Sequence, residues 1–416
     1  SYDDEFRPTL LLSDKGKIYF NITSRDRKKM DVCRADINTG EVEVLIEERM
    51  NTYIETRPLY LIKNETEMIH WSEKDGWAHF YRYDINGNLL NRITNGPFHS
   101  DNIKYYDQKS NFLFFSAHGV NKEIDPYYEH TYKISLNGGV PKLLNKGDFN
   151  TMTYPSDNHK FFVNNFSRVN TTPKSNLINS DGSVIMNLET ADLSALFESG
   201  YEFPETFKAK ADDGITDLYG VIYKPFDFDE NKKYPLLEYV YPGPQTESVN
   251  KSFSVRMDRL DRMAQLGFIV ITLGNRGGHP DRSKWYHNYG YGNLRDYGLA
   301  DKKYVAQQLA NRHDFIDINR VGIYGHSGGG FMSTAAILVY PDFFKVAYSQ
   351  AGNHDNSIYN SWWSETHHGI LEETDDDGNI KYIYDIDKNQ SLAKNLKGHL
   401  YLVTGDMDNN VHPGAT

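Results

Sequence analysis

The sequence predicts two architectures in one chain of 416 residues. The front is part of an all-β propeller, and the back is a mostly parallel sheet with helices on both faces. Three observations predict this. Turn glycines recur at positions 40, 87, 138 and 182. Beyond residue 201, short apolar strands alternate with helical segments. Gly325-His326-Ser327-Gly328-Gly329-Gly330 stands between one such strand and one such helix.

The front half is read from its repeats. Arg34 to Leu45, Tyr83 to Thr94, Tyr132 to Leu144 and, more faintly, Asn176 to Met186 each give a strand, a glycine turn and a second strand. The turn glycines are 47, 51 and 44 residues apart, a period that suits four-stranded propeller blades. Asn-Gly and Asp-Gly pairs supply the positive φ that tight hairpins need. About four units fit, and the blade region is expected to span 1–200.

The back half, 201–416, changes pattern near Tyr201-Glu202-Phe203-Pro204. Candidate strands are 219–223, 236–240, 268–273, 321–324, 346–349 and 400–403. Several are unbroken apolar runs, as expected of strands covered on both faces. Residues 296–311 read as a helix with Leu299, Ala300, Tyr304, Val305 and Leu309 as its apolar stripe.

The strand Arg320–Tyr324, the glycine-flanked Ser327 and the helix Phe331–Tyr340 together form a nucleophile elbow. Such a turn holds a serine exposed and strained, and the helix behind it favours developing negative charge. With the alternating strands it implies the α/β-hydrolase fold. That fold orders its triad serine, acid, histidine. Asp406 and Asp408, after the strand 400–403, are both candidates for the acid, which would orient the histidine and stabilise its imidazolium. The histidine is harder to place. His412 is only four residues past Asp408, and His354, His367, His368 and His399 precede the acid. The chain is therefore expected to be an internal fragment that stops before its catalytic histidine and is inactive alone.

Composition narrows the classes. Forty-five basic against 57 acidic residues leave a net charge of −12, which disfavours nucleic acid and anionic membranes as partners. The aromatic share of 14% suits β structure and broad recognition surfaces. No apolar run is long enough to span a bilayer. Cys33 is alone, so no intrachain disulfide can form. Asp375-Asp376-Asp377-Gly378 lacks the later ligands of a calcium loop and reads as a turn. No metal or cofactor is expected.

Blades followed by a hydrolase domain, with Tyr241-Pro242-Gly243-Pro244, Asn275-Arg276-Gly277-Gly278, the elbow, and Gly405 through His412, resemble the prolyl oligopeptidase family of serine peptidases. The similarity is closest to its dipeptidyl peptidase IV branch, in a bacterial form, and extends to Trp71–Trp77 and Glu5–Pro8. The resemblance implies Ser327 as nucleophile and Asp408 as triad acid. It implies the Tyr241 hydroxyl and the Gly328 N–H as oxyanion donors. Asn410 would bond the substrate backbone, while Tyr359, Trp363 and Val411 would bound the pocket for the residue before the cut. Phe6 and Arg7 would reach toward the substrate's N-terminal side. Ser327 and Asp408 are expected at neighbouring strand ends.

The implied activity is a serine exopeptidase that releases dipeptides after proline- or alanine-like residues. An oligopeptidase or acylaminoacyl peptidase, or a non-catalytic scaffold with a degenerate hydrolase domain, are the alternatives. The chain departs from the branch at two positions. Gly328 stands where an aromatic is usual and Trp363 where a tyrosine is usual. The paired glutamates that clamp a free N-terminus would lie upstream of residue 1. A periplasmic or secreted location, peptide substrates and a homodimer are what the resemblance implies.

Overall fold

The computed structural model describes residues 10–255, 259–383 and 386–416. Phe6 and Arg7 lie outside the described residues.

Residues 10 to 190 form four antiparallel sheets of four strands each, with strands in sequence order within every sheet. The sheets pack face to face through apolar clusters. Val32 and Ile46 of the first meet Met68 and Tyr81 of the second. Trp71 and Phe80 of the second meet Phe115 and Tyr132 of the third. Tyr105 and Phe114 of the third meet Phe162 and Ile178 of the fourth. The result is a propeller-like array of blades.

The four periodic glycines mark the same turn in every sheet, between its third and fourth strands. Their φ values are 75°, 87°, 91° and 92°, a region costly for residues with a Cβ. Three also lean on the blade before. A Cβ on Gly87 would overlap the Leu45 carbonyl, and one on Gly182 would lie 2.6 Å from the Leu144 carbonyl. One on Gly138 would lie 3.4 Å from the Arg92 carbonyl.

Residues 205–403 contribute a seven-stranded sheet: β1 (Glu205–Lys210), β2 (Asp217–Tyr223), β3 (Tyr234–Val240), β4 (Ile269–Leu273), β5 (Ile316–His326), β6 (Phe344–Gln350) and β7 (His399–Val403). Their spatial order is β1-β2-β4-β3-β5-β6-β7. β1 and β2 pair antiparallel, as do β2 and β4; every later pairing is parallel. All five residues of β4 are buried, as befits a strand covered on both faces.

Helices α1 (Leu299–Arg312) and α2 (Gly328–Val339) pack against this sheet. Leu299, Val305 and Leu309 of α1 are buried as the apolar stripe requires, but Tyr304 is 39% exposed. Its expected place on the core face goes to charged residues. Asp301 accepts from the Arg276 guanidinium at 2.8 Å and from the Asp212 N–H at 3.1 Å. Lys302 donates to the Leu273 carbonyl. The helix therefore covers a sheet edge where loop backbone and Arg276 need partners, which apolar periodicity does not register.

Buried and half-buried ion pairs join the blades to this sheet. Lys284 meets Glu73 at 2.7 Å with both side chains buried, and Lys251 meets Asp125 at 2.7 Å. Among the described residues no helix is long and apolar enough to cross a membrane.

The two kinds of glycine turn should separate on mutation. Gly40→Ala, with no atom within 4 Å of the added Cβ, should cost about 1–2 kcal/mol for its positive φ alone. Gly87→Ala adds overlap with Leu45 and should cost about 1–3 kcal/mol more. Chemical denaturation of the two variants checks the difference.

Candidate active site

β5 ends at His326 and α2 begins at Gly328, so Ser327 alone makes the turn. Its backbone sits at φ 56°, ψ −121°, a conformation strained for any residue with a Cβ. The strain is held from both sides. The Ser327 N–H donates to the Gln350 carbonyl at 2.8 Å, and its own carbonyl accepts from Phe331 N–H at 3.0 Å.

The surrounding glycines are required by close backbone approach. A Cβ on Gly325 or Gly329 would overlap the Val240 carbonyl. One on Gly330 would lie 2.7 Å from the Gln350 carbonyl, and one on Gly328 would lie 2.8 Å from the Pro242 carbonyl. The last contact gives a physical reason for glycine at 328, where the resemblance leads one to expect an aromatic.

The same contacts bring the end of β3 against the elbow. Val240 pairs with Gly325 in parallel register, so Tyr241 stands level with the residue before the serine. Tyr241 is partly buried at the edge of the cluster formed by Val221, Tyr223, Tyr239 and Val270. Gly328 opens α2, where first-turn N–H groups lack helical partners and face the positive end of the dipole.

Asp408 lies past the end of β7. Register places Val403 beside Gln350 and Gln350 beside His326, so β6 separates the strand ends of Ser327 and Asp408. The two do not lie at neighbouring strand ends as expected, because residues 344–350 pair as a full parallel strand between β5 and β7. One Asp408 oxygen accepts N–H groups from Asn410 and Val411, each at 2.9 Å. Those bonds, with the nearby His326, hold its carboxyl below the usual range. Asp406, on the same loop, is exposed.

The structure brings three of the other expected residues together. Tyr359 and Trp363 meet edge to face with ring centroids 5.7 Å apart. The Tyr359 hydroxyl donates to Asn410 Oδ1 at 3.4 Å. Val411, next in sequence, is buried. Trp363 is carried by α3 (Ser361–His368), whose first turn is capped by the Asn360 side chain.

The histidines are committed elsewhere. Buried His354 accepts from the Asn389 amide at its Nδ1, 2.9 Å away, and its Nε2 lies 3.3 Å from the Ser349 hydroxyl. His367 and His368 are buried on α3, His367 edge-on to both Trp363 and Tyr53 at 5.1 Å. His399 begins β7, at the opposite end of the sheet from the elbow. His412 accepts its own loop's Gly414 N–H at 3.1 Å. Asp375 caps a hairpin turn, as its sequence reads, by accepting N–H from Asp377 and Asn379.

Sequence reasoning missed what anchors α3. Arg25, on the first blade, donates two bonds to Glu365 at 2.9 and 2.6 Å, and Arg27 lies 4.7 Å over the Trp362 ring. The Arg25–Glu365 partners are 340 residues apart, and no local pattern marks them. Trp363 also walls a cavity of about 280 Å³ between the two halves, lined by Tyr53, Glu55, Trp71, Glu73 and His287 among others. Ser327 and Tyr359 are not among its lining residues.

A strained serine at the carboxyl end of a parallel strand, ahead of a helix, defines the α/β-hydrolase class. Comparison with known proteins narrows this. Residues 253–416 match the prolyl oligopeptidase family, and residues 6–173 match the dipeptidyl peptidase IV N-terminal region. The chain belongs to the prolyl oligopeptidase family, in its dipeptidyl peptidase IV-like branch. It is 33% identical to human dipeptidyl peptidase 8 over 51% of its own length and 23% of that protein. It is 24% identical to Trichophyton equinum dipeptidyl peptidase 4 over 82% of itself and 44% of that protein. The chain thus spans less than half the length of these curated relatives. The fold matches the crystal structure of Porphyromonas gingivalis dipeptidyl peptidase 4 with a TM-score of 0.82 at 22% identity, covering 98% of this chain and 56% of that one.

Two measurements test this geometry. Ser327→Gly removes the Cβ from a strained backbone and should raise the unfolding midpoint, by about 1 kcal/mol after glycine's own entropy cost; an unchanged or lowered midpoint would mean that the turn stores no strain. The second concerns pH. Burial lowers the His354 pKa to about 4 from 6.5. The unfolded state therefore binds the extra proton first. The stability tied to neutral His354 is complete above pH 6.5 and is lost as pH falls toward 4. His354→Gln should flatten that part of the stability–pH curve, measured by denaturation at a series of pH values.

Proposed function

We propose that the intact protein is a serine exopeptidase that releases dipeptides from peptide N-termini. The observation that carries this reading is the strained Ser327 turn, flanked by Tyr241 and set at the head of α2. The Ser327 hydroxyl oxygen attacks the carbonyl carbon of the second substrate residue. The carbon–nitrogen bond breaks, the amine leaves with a proton, and water then hydrolyses the acyl-enzyme. Gly328 N–H and the Tyr241 hydroxyl are the oxyanion donors in this reading, and Asp408 is the acid that orients the base.

Tyr359 and Trp363 would grip the residue before the cut, with Asn410 holding substrate backbone. A proline- or alanine-like residue suits a pocket walled by two rings. Glycine at 328 removes bulk beside the nucleophile and Trp363 adds it opposite, so residues somewhat larger than proline should also be accepted. A periplasmic or secreted location and a homodimer belong to the same proposal and rest on the family resemblance.

A panel of dipeptide reporters, varied only at the residue before the cut, tests the reading on the intact protein. Ser327→Ala should lower kcat by at least ~10³-fold. Trp363→Tyr should change the ranking across residues, by about 1–3 kcal/mol of discrimination. Cleavage of only N-terminally blocked reporters would favour the oligopeptidase or acylaminoacyl alternative. No Ser327-dependent turnover of any reporter would favour a scaffold.

A further inference from the structure

We propose that the third blade binds one divalent first-row metal ion of the zinc class, through His118, Glu129, Asp101 and His99. The inference is independent of the peptidase reading, and the sequence alone had pointed to no metal.

The site follows from strand register. His118 ends the strand Phe112–His118 and is paired with His99 on one side and Glu129 on the other. Residues directly opposite on adjacent strands bring their side chains to within about 5 Å. Asp101 lies two residues past His99, at a bulge opposite Ser116, whose hydroxyl donates to Asp101 Oδ2 at 3.3 Å. Ligand-type atoms of Asp101, His118 and Glu129 all lie within 4.8 Å of one another. Closing to a tetrahedral zinc sphere requires a contraction of about 1–1.5 Å, within the reach of two carboxylate side chains.

Two further observations point to an ion. His118 Nδ1 lies 3.1 Å from the Tyr127 carbonyl, which can only accept. Nδ1 therefore carries the proton and Nε2 keeps its lone pair, the arrangement that orients metal-ligating histidines. His99 is fully buried, and neither of its ring nitrogens has a hydrogen-bond partner. Its Nε2 lies 4.0 Å from Asp101 Oδ1, at the edge of the Asp101–His118–Glu129 cluster and too far for a hydrogen bond. An imidazole buried without partners is costly and calls for one. The His99 and His118 ring centroids are 6.0 Å apart.

Basic neighbours partly offset the carboxylates. Arg57 lies 3.1 Å from Asp101 Oδ1, Lys104 lies 3.1 Å from Glu129 Oε1, and Asp101 Oδ2 accepts from Ser116 and Asn102. The second Glu129 oxygen is left for the ion. Access runs through a cavity of about 280 Å³ at the junction of the two halves, lined by His118, Glu129, Lys251 and Asp281. Mixed imidazole and carboxylate donors favour zinc, cobalt or nickel over calcium or magnesium. The ion would tie three strands of the blade together beside the hydrolase sheet.

The test is titration of zinc chloride, and separately cobalt chloride, into the intact, chelator-treated protein. Near one equivalent should bind, cobalt should show ligand-field absorption, and the unfolding midpoint should rise with zinc. Glu129→Gln and His118→Ala should each weaken binding by at least ~10-fold, and His99→Gln should change the cobalt spectrum. Binding well below one equivalent, or affinity and spectrum unchanged in Glu129→Gln, would overturn the proposal and assign any bound metal to other histidines. If His118→Ala does not fold, Glu129→Gln and His99→Gln still decide it.

Discussion

The close passage of the Val240 carbonyl past Gly325 and Gly329 is the constraint on which the rest of the α/β-hydrolase half depends. It allows α2 to start immediately after β5, and that abrupt change of direction leaves Ser327 at φ 56°. It also fixes the end of β3, and with it Tyr241, beside the serine. Any side chain at 325 or 329 would push β3 and α2 apart. The positions of Ser327 and Tyr241 are thus set by one backbone contact rather than by side-chain packing. Strain at one residue is tolerable because two backbone hydrogen bonds and the whole of α2 hold it.

The placement of Trp363 depends on a different interaction. Trp363 rides on α3, and α3 is held to the first blade by the two-pronged Arg25–Glu365 pair. Two parallel N–H···O bonds fix direction as well as distance. The buried Lys284–Glu73 pair does the same nearby. Neither pair gives much net stability: Arg25 is half exposed and its attraction is screened, and desolvation offsets most of the Lys284–Glu73 attraction. Their effect here is registration: the blades set where α3 and Trp363 stand, and so the shape of the cavity Trp363 lines.

Several buried titratable groups serve neither purpose. Glu238, on β3, is fully buried with neither oxygen hydrogen-bonded, and burial pushes its pKa up to about 7 against the opposing pull of Lys302. His99 is equally enclosed. Glu238 stands between Leu237 and Tyr239 on an otherwise apolar strand, whereas His99 opens a polar run facing His118. Such groups are visible only when the partners across the sheet are known.

The sequence by itself determined the two architectures, the elbow and the blade period, because each rests on local chemistry. Glycine spacing reports backbone that must turn or approach closely, and apolar runs report strands covered on both faces. Tertiary structure, not helical spacing, brings Tyr359 to Trp363, since Tyr359 precedes Asn360, the cap of α3. Tertiary structure alone decided the insertion of β6 between the ends of β5 and β7, the outward turn of Tyr304, and the anchoring of α3 by Arg25. It alone brought His99, His118 and Glu129 into one row. These depend on strand order, on register and on contacts between residues far apart in the chain. Hydrophobic periodicity records which face of an element is buried, and carries no information about which element lies against it.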